Sequence, residues 1–162
     1  MLTYERLTEV LDYDPDIGVF TWKKSTTNCV RAGAVAGAVS GGYRRIKIDC
    51  RLYLAHRLAW LYQTRSWPPD MIDHIDGNKL NNRFRNLREA TRSENNSNSK
   101  RPANNSSGFK GVSYRKQVGR WTAQITVNNK RSHIGYFNTP EAAHAAYVRA
   151  AKQSRGEFAR FE

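Results

Sequence analysis

Asp73 and His74 are adjacent residues whose side chains suit the hydrolysis of a phosphodiester bond. A carboxylate offers a hard oxygen ligand to a divalent cation, and an imidazole has the unperturbed pKa of a general base near neutral pH. Two residues with amide side chains follow: Asn86 lies twelve residues after His74, and Asn95 lies nine residues after Asn86. Residue types at this spacing indicate a nuclease site built around a single metal ion.

Neighbouring elements must position these side chains. Successive side chains of a strand point to opposite faces, so Asp73 and His74 flank one phosphate only if their strand ends or twists there. The Asp76-Gly77 pair is typical of a turn at that point. Leu87–Ala90 is predicted to form a second short strand.

A helix is predicted directly after this second strand. Thr91 and Glu94 have the spacing of a capping box, which predicts a short helix that begins at about Arg92. Asn95 then lies in the first turns of the helix, near enough to the strand of Asp73 for its amide oxygen to be a second metal ligand. The expected order is strand, loop, strand and helix around one ion.

Residues 43–99 resemble the phage and intron-encoded HNH homing endonucleases, whose fold is the ββα-metal motif. The stretches that carry the resemblance are His56-Arg57-Leu58-Ala59-Trp60, Asp73-His74-Ile75-Asp76-Gly77-Asn78, Asn81-Asn82 and Asn86-Leu87-Arg88. The resemblance implies a metal ion on Asp73 and Asn95, a general base at His74 and a base-orienting amide at Asn86. It also implies products with a 5′ phosphate and a 3′ hydroxyl.

The predicted ligands favour Mg²⁺ or Mn²⁺ as the one divalent cation. Many HNH enzymes have histidines where this chain has Asp73 and Asn95, and some add a four-cysteine zinc site. This chain has oxygen ligands and only Cys29 and Cys50, so it resembles the His-Asn-Asn branch and no structural zinc is expected. His56 is not expected to bind the metal, because it lies seventeen residues before Asp73 at the start of a separate predicted helix.

The chain is strongly basic, which indicates a polyanionic partner such as double-stranded DNA. It has 27 Lys and Arg against 14 Asp and Glu, and residues 101–162 alone have 11 against 3.

No lipidation motif, signal peptide or long apolar run is found, and the two cysteines lie outside any Cys-x-x-Cys pattern. We therefore expect an intracellular protein, in the bacterial cytoplasm if it is phage-encoded, with no membrane partner and with a monomer favoured.

A polar stretch divides the sequence. Residues 95–107 are almost devoid of apolar side chains, so beyond the short helix they cannot help to build a core. We expect a nuclease domain at 1–99 with its site core at 70–99, a linker at 100–107 and a DNA-binding domain at 108–162. A solvated loop inside one domain is the alternative.

After this stretch, apolar and polar residues alternate in three runs, which predicts three half-buried strands. The runs are Val112–Arg115, Trp121–Val127 and Arg131–Ile134, with turns at Gln117–Gly119 and Asn128-Asn129.

A helix is predicted to follow these strands. Thr139 is its predicted N-cap, Pro140 occupies the first position and Gly156 is expected to end it. Its predicted apolar face consists of Ala143, Ala146, Tyr147 and Ala150.

Packing of this helix on one sheet face leaves the other face to basic and polar side chains. The residues predicted on that face, and proposed to bind DNA, are Arg115, Lys116, Arg120, Thr122, Gln124, Thr126, Arg131 and His133. This region resembles the plant Apetala-two (ethylene-response-factor) DNA-binding domain, from Ser107-Gly108-Phe109-Lys110-Gly111-Val112 through Gly135-Tyr136-Phe137 to Ala142-Ala143 and Tyr147. In that family the sheet lies in the DNA major groove, and the chain lacks the plant tryptophan at His133.

The fold class predicted for the whole chain is α+β. It combines a ββα-metal nuclease domain, supported by an N-terminal helix and β-hairpin, with a small three-stranded antiparallel sheet packed on one helix. The supporting elements are predicted around Tyr4–Leu11, Val19–Trp22 and Tyr43–Ala55.

These features together favour a site-specific DNA endonuclease of the homing type, which nicks or cuts both strands. A DNA-binding regulator with an inactive nuclease scaffold is the alternative, but Asp73, His74, Asn86 and Asn95 are all present, which favours an enzyme. An RNA-binding module is less favoured, because no aromatic stacking pair is predicted on the exposed sheet face.

Overall fold

A computed structural model describes residues 1–25, 30–99, 105–127 and 130–161. Helices alternate with short strands in small antiparallel sheets, as expected for the α+β class. Met1–Ala90 and Thr91–Glu162 form two compact units. The domain boundaries at 99 and 107 remain predictions, and the predicted turn at Asn128-Asn129 lies outside the described residues. In the described part of the chain, every helix is too short or too polar to cross a bilayer.

The first unit contains two helices, seven strands and one 3-10 turn in its described residues. In chain order these are α1 (Tyr4–Val10), β1 (Leu11–Asp14), β2 (Val19–Trp22), β3 (Ala38–Ser40), β4 (Tyr43–Ile48), β5 (Arg51–Leu54), α2 (Ala55–Thr64), β6 (Met71–His74), the 3-10 turn Phe84–Asn86 and β7 (Leu87–Ala90). They form three antiparallel sheets, β1–β2, β3–β4–β5 and β6–β7. The predicted strand at β2 and hairpin at β4 and β5 are confirmed, whereas β1 and β3 were not predicted.

The core of the first unit is built from α1, α2 and the inward faces of the strands. The side chain of Thr3 caps α1 by accepting a hydrogen bond from the Arg6 amide, and Leu7 lies fully buried on the inward face. Tyr13 stacks on Phe20 with ring centroids 4.5 Å apart. This packing places the β1–β2 hairpin against the loop that precedes β7.

The second unit begins with a short helix and continues as a sheet backed by a long helix. Its elements are α3 (Arg92–Ser97), β8 (Val112–Arg115), β9 (Arg120–Val127), β10 (Lys130–Phe137), α4 (Pro140–Arg155) and the 3-10 turn Gly156–Phe158. The three strands are antiparallel with β9 in the centre. All three predicted strands and the helix that follows them are confirmed.

Helix α4 packs its alanine-rich face on the sheet. The Thr139 side chain accepts from the Ala142 amide and Gly156 ends the helix in a left-handed φ of 50°, as predicted. The buried face includes Ala151, whereas the predicted Ala150 is only half-buried. Small side chains let the helix approach closely enough for Tyr147 to fill the space beside Gly111.

Candidate active site and nucleic-acid interface

Asp73 and His74 occupy the last two positions of strand β6. Both are buried, with 4% and 5% of their surface exposed, and the strand ends at His74 as predicted. The Gly77 amide donates to the His74 carbonyl oxygen at 2.8 Å, which closes the predicted turn. Gly77 has a φ of 69°, which glycine adopts without a steric penalty. Both residues lie at the end of the strand, and the negative charge of Asp73 is near enough to affect the pKa of His74.

Arg88 lies directly opposite Asp73 in the β6–β7 ladder. Its Nε and Nη2 atoms donate to Asp73 Oδ2 at 3.0 and 2.9 Å. A buried carboxylate needs such a partner, because desolvation of a lone charge costs several kcal/mol. The pair fixes the position of the Asp73 carboxylate, the predicted metal ligand, within the ladder.

The His74 ring is oriented by an amide that had no assigned role in the sequence. His74 Nε2 lies 3.2 Å from Asn82 Oδ1, and Asn82 is 1% exposed. Because the amide oxygen accepts, Nε2 carries the ring proton and Nδ1 carries the lone pair. Burial lowers the pKa of His74, against the opposing effects of the Asn82 hydrogen bond and the negative charges of Asp76 and Asp73. A neutral imidazole of fixed orientation results.

Asn86 acts on the backbone of the loop between β6 and β7. Its side-chain nitrogen donates to Asp76 Oδ1 and to the Asn81 carbonyl at 3.0 and 2.8 Å. Its Oδ1 accepts from the Asp76 amide at 3.1 Å. These bonds tie the two ends of the loop together, so Asn86 supports the loop that carries Asn82.

The β1–β2 hairpin braces the same loop from the other side. The Tyr13 hydroxyl donates to the Asn82 carbonyl at 2.6 Å, and the Phe84 amide donates to the Pro15 carbonyl at 3.1 Å. Gly18, with a φ of 73°, lies so close to Asn82 that an added Cβ would overlap its backbone. The N-terminal hairpin therefore fixes the position of the amide that contacts His74.

An aromatic and basic cluster surrounds His74, and sequence reasoning assigned none of its members to the site. His56 packs edge-on against His74 with ring centroids 4.9 Å apart, and the Tyr43 ring lies 5.4 Å from His56. Lys79 Nζ stands 4.7 Å above the Tyr43 ring. Burial, together with the neighbouring His74 ring and the positive charge of Arg57, lowers the pKa of His56 to about 3. His56 is buried, and the expectation that it does not bind the metal stays a prediction.

Asn95 lies on α3, which belongs to the second unit. The capping box is confirmed, because Thr91 Oγ1 accepts from the Glu94 amide while Glu94 Oε2 accepts from the Thr91 amide. The assignment of Asp73 and Asn95 as metal ligands remains a prediction. Within the described ranges, no group of three or more His, Cys, Asp or Glu side chains is arranged to hold a metal.

The outward face of the three-stranded sheet carries most of the predicted DNA-binding residues. The exposed members are Arg115, Lys116, Arg120, Thr126, Arg131 and His133, and Gln124 is half-buried. The prediction that Thr122 is exposed is wrong, since its exposed fraction is 0%. Thr122 is on the central strand, directly between Ser113 and Tyr136, and these flanking strands exclude solvent from it.

An aromatic pair lies on this same sheet face. Tyr136 is opposite Thr122 and His133 is opposite Gln124, with a bulge between them, and their rings are 4.5 Å apart. Tyr136 is 44% exposed. The bulge turns Tyr136 outward, which was not predicted, but the two rings are tilted by 52° and do not stack, so the expectation of no aromatic stacking pair on this face is not contradicted.

Two family models match this chain. A model described as HNH endonuclease matches residues 53–97, which include Asp73, His74 and Asn86. A model described as AP2 domain matches residues 107–157, which include the whole three-stranded sheet. These matches define the class of protein as an HNH endonuclease domain followed by an AP2 domain.

Relatives of known sequence agree with both matches. Protein 3.8 of Escherichia phage T7 is 40% identical over 90 residues, which cover 56% of this chain and 74% of that protein. The SPbeta prophage-derived protein YosQ of Bacillus subtilis, provisionally named an HNH homing endonuclease, is 47% identical over 55 residues, 33% of this chain and 32% of the relative. The AP2-like ethylene-responsive transcription factor TOE2 of Arabidopsis thaliana is 40% identical over 55 residues, only 11% of its length. This chain belongs to the phage family of Protein 3.8, with HNH endonuclease and AP2 domains.

Proposed function

We propose that this protein is a divalent-metal-dependent DNA endonuclease that recognises its target through the C-terminal sheet. The observation that carries the proposal is the buried, neutral His74, held by Asn82 at the end of β6 next to the Asp73 carboxylate. We assign β6, β7 and α3 to the two strands and helix of the ββα-metal motif, supported by their order along the chain.

His74 is the general base of the proposed reaction. With the proton on Nε2, the Nδ1 lone pair accepts a proton from the water that attacks the scissile phosphorus. The Asn82 amide oxygen holds the imidazole in that tautomer and stabilises the charge that the ring gains. Asn86 keeps the loop closed, so that Asn82 does not move away from the ring.

The proposed metal ligands are Asp73 and Asn95. A carboxylate and an amide oxygen fit Mg²⁺ or Mn²⁺. When bound, the cation supplies positive charge at the scissile phosphate and at the departing 3′ oxygen. Arg88 holds Asp73 in place in the ladder. Lys79, cationic and beside the Tyr43 ring near His74, adds positive charge where a phosphate would bind.

Target recognition is assigned to the exposed residues of the sheet face in the second unit. In the described residues between Asn95 and Pro140 no acidic side chain occurs, so the face presents basic and hydrogen-bonding groups alone. Arg115, Arg120 and Arg131 are suited to phosphates or guanine edges, and Gln124 to an adenine edge. An RNA-binding role would use the His133–Tyr136 pair for base stacking, so competition by single-stranded RNA tests that alternative.

Incubation of the protein with DNA from its own genomic neighbourhood tests the proposed function. Cleavage is expected with Mg²⁺ or Mn²⁺ and not with EDTA, and denaturing and native gels distinguish a nick from a double-strand break. Asp73→Ala and Asn95→Ala should each raise the metal concentration required, and Asn95→Asp should be milder because it keeps an oxygen. Binding without cleavage under all metal conditions would instead identify a DNA-binding regulator.

A further inference from the structure

Lys110 is a buried lysine bound to the C-terminal end of another element. It is 9% exposed, and its Nζ donates to the carbonyl oxygens of Ser97 and Ser99 at 2.8 and 2.5 Å. Among the described residues no carboxylate forms an ion pair with it. A charged amine that is buried this deeply is stable only where its hydrogen-bond donors are satisfied.

One carbonyl belongs to Ser97, the last residue of α3, and the other to Ser99, two residues further along the chain. The last carbonyls of a helix have no partner within the helix, and the negative end of the helix dipole favours a cation. Helix α3 has no basic residue in its last turn. Lys110 therefore supplies from outside the helix the cation that its own sequence lacks.

Helix α3 depends on such outside contacts. It has six residues, far fewer than an isolated helix needs in water. Its first turn is fixed by the capping box of Thr91 and Glu94, and its other end is fixed by Lys110. Ser93, Asn96 and Ser97 line one small cavity together with Thr126 and Arg155, so the helix lies beside β9 and the end of α4.

The surroundings of Lys110 are otherwise unfavourable for a cation. Burial, with the positive charges of Arg155 and Arg160, lowers the pKa of Lys110 to about 8. Arg155 is already engaged by the Thr126 carbonyl at 2.8 Å and the Tyr147 hydroxyl at 3.0 Å. The contacts with the Ser97 and Ser99 carbonyls are thus the feature of this position that favours an amine.

We propose that Lys110 is a positioning residue that holds α3, and with it Asn95, to the C-terminal unit. Asn95, the proposed metal ligand on α3, is thereby fixed within the same unit as the three-stranded sheet. This inference rests on the proposed function only in treating Asn95 as a metal ligand. The anchoring of α3 by Lys110 is a separate claim with its own measurement.

The test compares full-length wild type, Lys110→Met and the control Lys152→Met, at an exposed lysine of α4 in the same unit that has no assigned role in DNA binding. Hydrogen exchange of the Asn95 and Asn98 amides, which bond to Thr91 and Glu94 carbonyls, should be about 10-fold faster or more in Lys110→Met. The control should exchange like the wild type. Lys110→Arg, which keeps a cationic donor, should restore part of the protection.

The cleavage readout follows in the same proteins. The Mg²⁺ concentration that gives half the maximal rate should rise several-fold in Lys110→Met, while DNA affinity stays within about twofold. Unchanged exchange of the α3 amides, or faster exchange with an unchanged metal requirement, would overturn the proposal. Weaker DNA binding with a shallower salt dependence and unchanged exchange would overturn it in favour of a phosphate contact.

Two further outcomes are decisive. Should wild type prove to be a metal-independent or inactive protein, the proposed function fails, and the exchange data alone still decide whether Lys110 anchors α3. Should Lys110→Met fail to fold, as judged by its thermal melt, Lys110→Gln keeps a neutral donor of shorter reach. The same exchange and metal measurements on that variant then support or overturn the proposal.

Discussion

His74 shows how one residue acquires its chemistry from its neighbours. Its ring is buried by β6, by the edge of His56 and by the loop that carries Asn82. Burial disfavours the charged imidazolium, so the ring is neutral and able to accept a proton at neutral pH. The Asn82 oxygen determines which nitrogen accepts it.

Loss of the Asn82 side chain should therefore impair catalysis more than binding. Asn82→Ala is expected to lower kcat about 10-fold with little change in KM, because the imidazole loses its preferred tautomer and orientation. Asn82→Asp keeps an acceptor and should retain more activity. Asn78→Ala, at an exposed position of the same loop, is the matched control. Equal kinetics for Asn82→Ala and Asn78→Ala would contradict this role.

His56 should make the first unit sensitive to acid. Its pKa is lowered to about 3 in the folded state from an ordinary value of 6.5, so the unfolded chain binds more protons between these values. Stability should fall as the pH drops below 6.5, by up to about 1.4 kcal/mol per pH unit from this group. Denaturant melts of the wild type and His56→Phe from pH 4 to 7 measure the slopes. A slope that is the same in His56→Phe would show that His56 is not responsible.

At the scale of elements, local structure could be predicted from the sequence better than tertiary contacts could. Strand β7, the capping box of α3 and the start of α4 were predictable, because each depends on residues within one or two turns of chain. The contact of His74 with His56 was not, since it joins two separate elements and needs the tertiary fold. Thr122 was misassigned because period-two alternation cannot show that flanking strands cover a central position.

The role of the β1–β2 hairpin also emerges only from packing. Nothing in its sequence indicates a link to the site, yet Tyr13 and Pro15 bond to the backbone of residues 82 and 84. Asn82 in turn bonds to His74. The hairpin thus supports the loop that carries Asn82, two contacts away from His74, the proposed general base.

Gly18 offers a test of this support, with Gly33 as its control. Both glycines have positive φ, 73° and 80°, but a Cβ at Gly18 would overlap residues 82 and 83 while a Cβ at Gly33 meets nothing within 4 Å. Gly18→Ala should cost about 2 kcal/mol more unfolding free energy than Gly33→Ala, because only it displaces packed backbone. It should also slow cleavage. Equal melts and equal rates for the two variants would show that the hairpin does not brace the loop.

At the scale of the whole molecule, net positive charge is concentrated in residues 101–162, which include the sheet proposed to recognise DNA. Residues 101–162 carry 11 basic against 3 acidic side chains, whereas residues 1–100 carry 16 against 11. This distribution favours rapid association with DNA through the C-terminal domain. The nuclease chemistry, by contrast, is proposed around His74 in the first unit and depends on few charges.

Substitution of the sheet arginines should separate recognition from chemistry. Arg115→Ala, Arg120→Ala and Arg131→Ala are each expected to weaken DNA binding while the maximal rate at saturating protein stays near wild type. Loss of a phosphate contact should make the slope of log affinity against log salt shallower by about 0.9. Loss of a base contact should instead relax the sequence preference at one base pair. Affinity measured on matched target and mutated duplexes distinguishes the two. Unchanged affinity and preference in all three variants would show that the sheet does not contact DNA.

The central claim is that His74 is the general base, and single-turnover cleavage by His74→Ala tests it most directly. DNA affinity is measured in parallel with the wild type at the same Mg²⁺ and salt concentrations. We predict a loss of rate on the order of 10²-fold or more with affinity nearly intact, because the base acts only in the transition state. A His74→Ala protein that still cuts at a tenth of the wild-type rate would contradict the account.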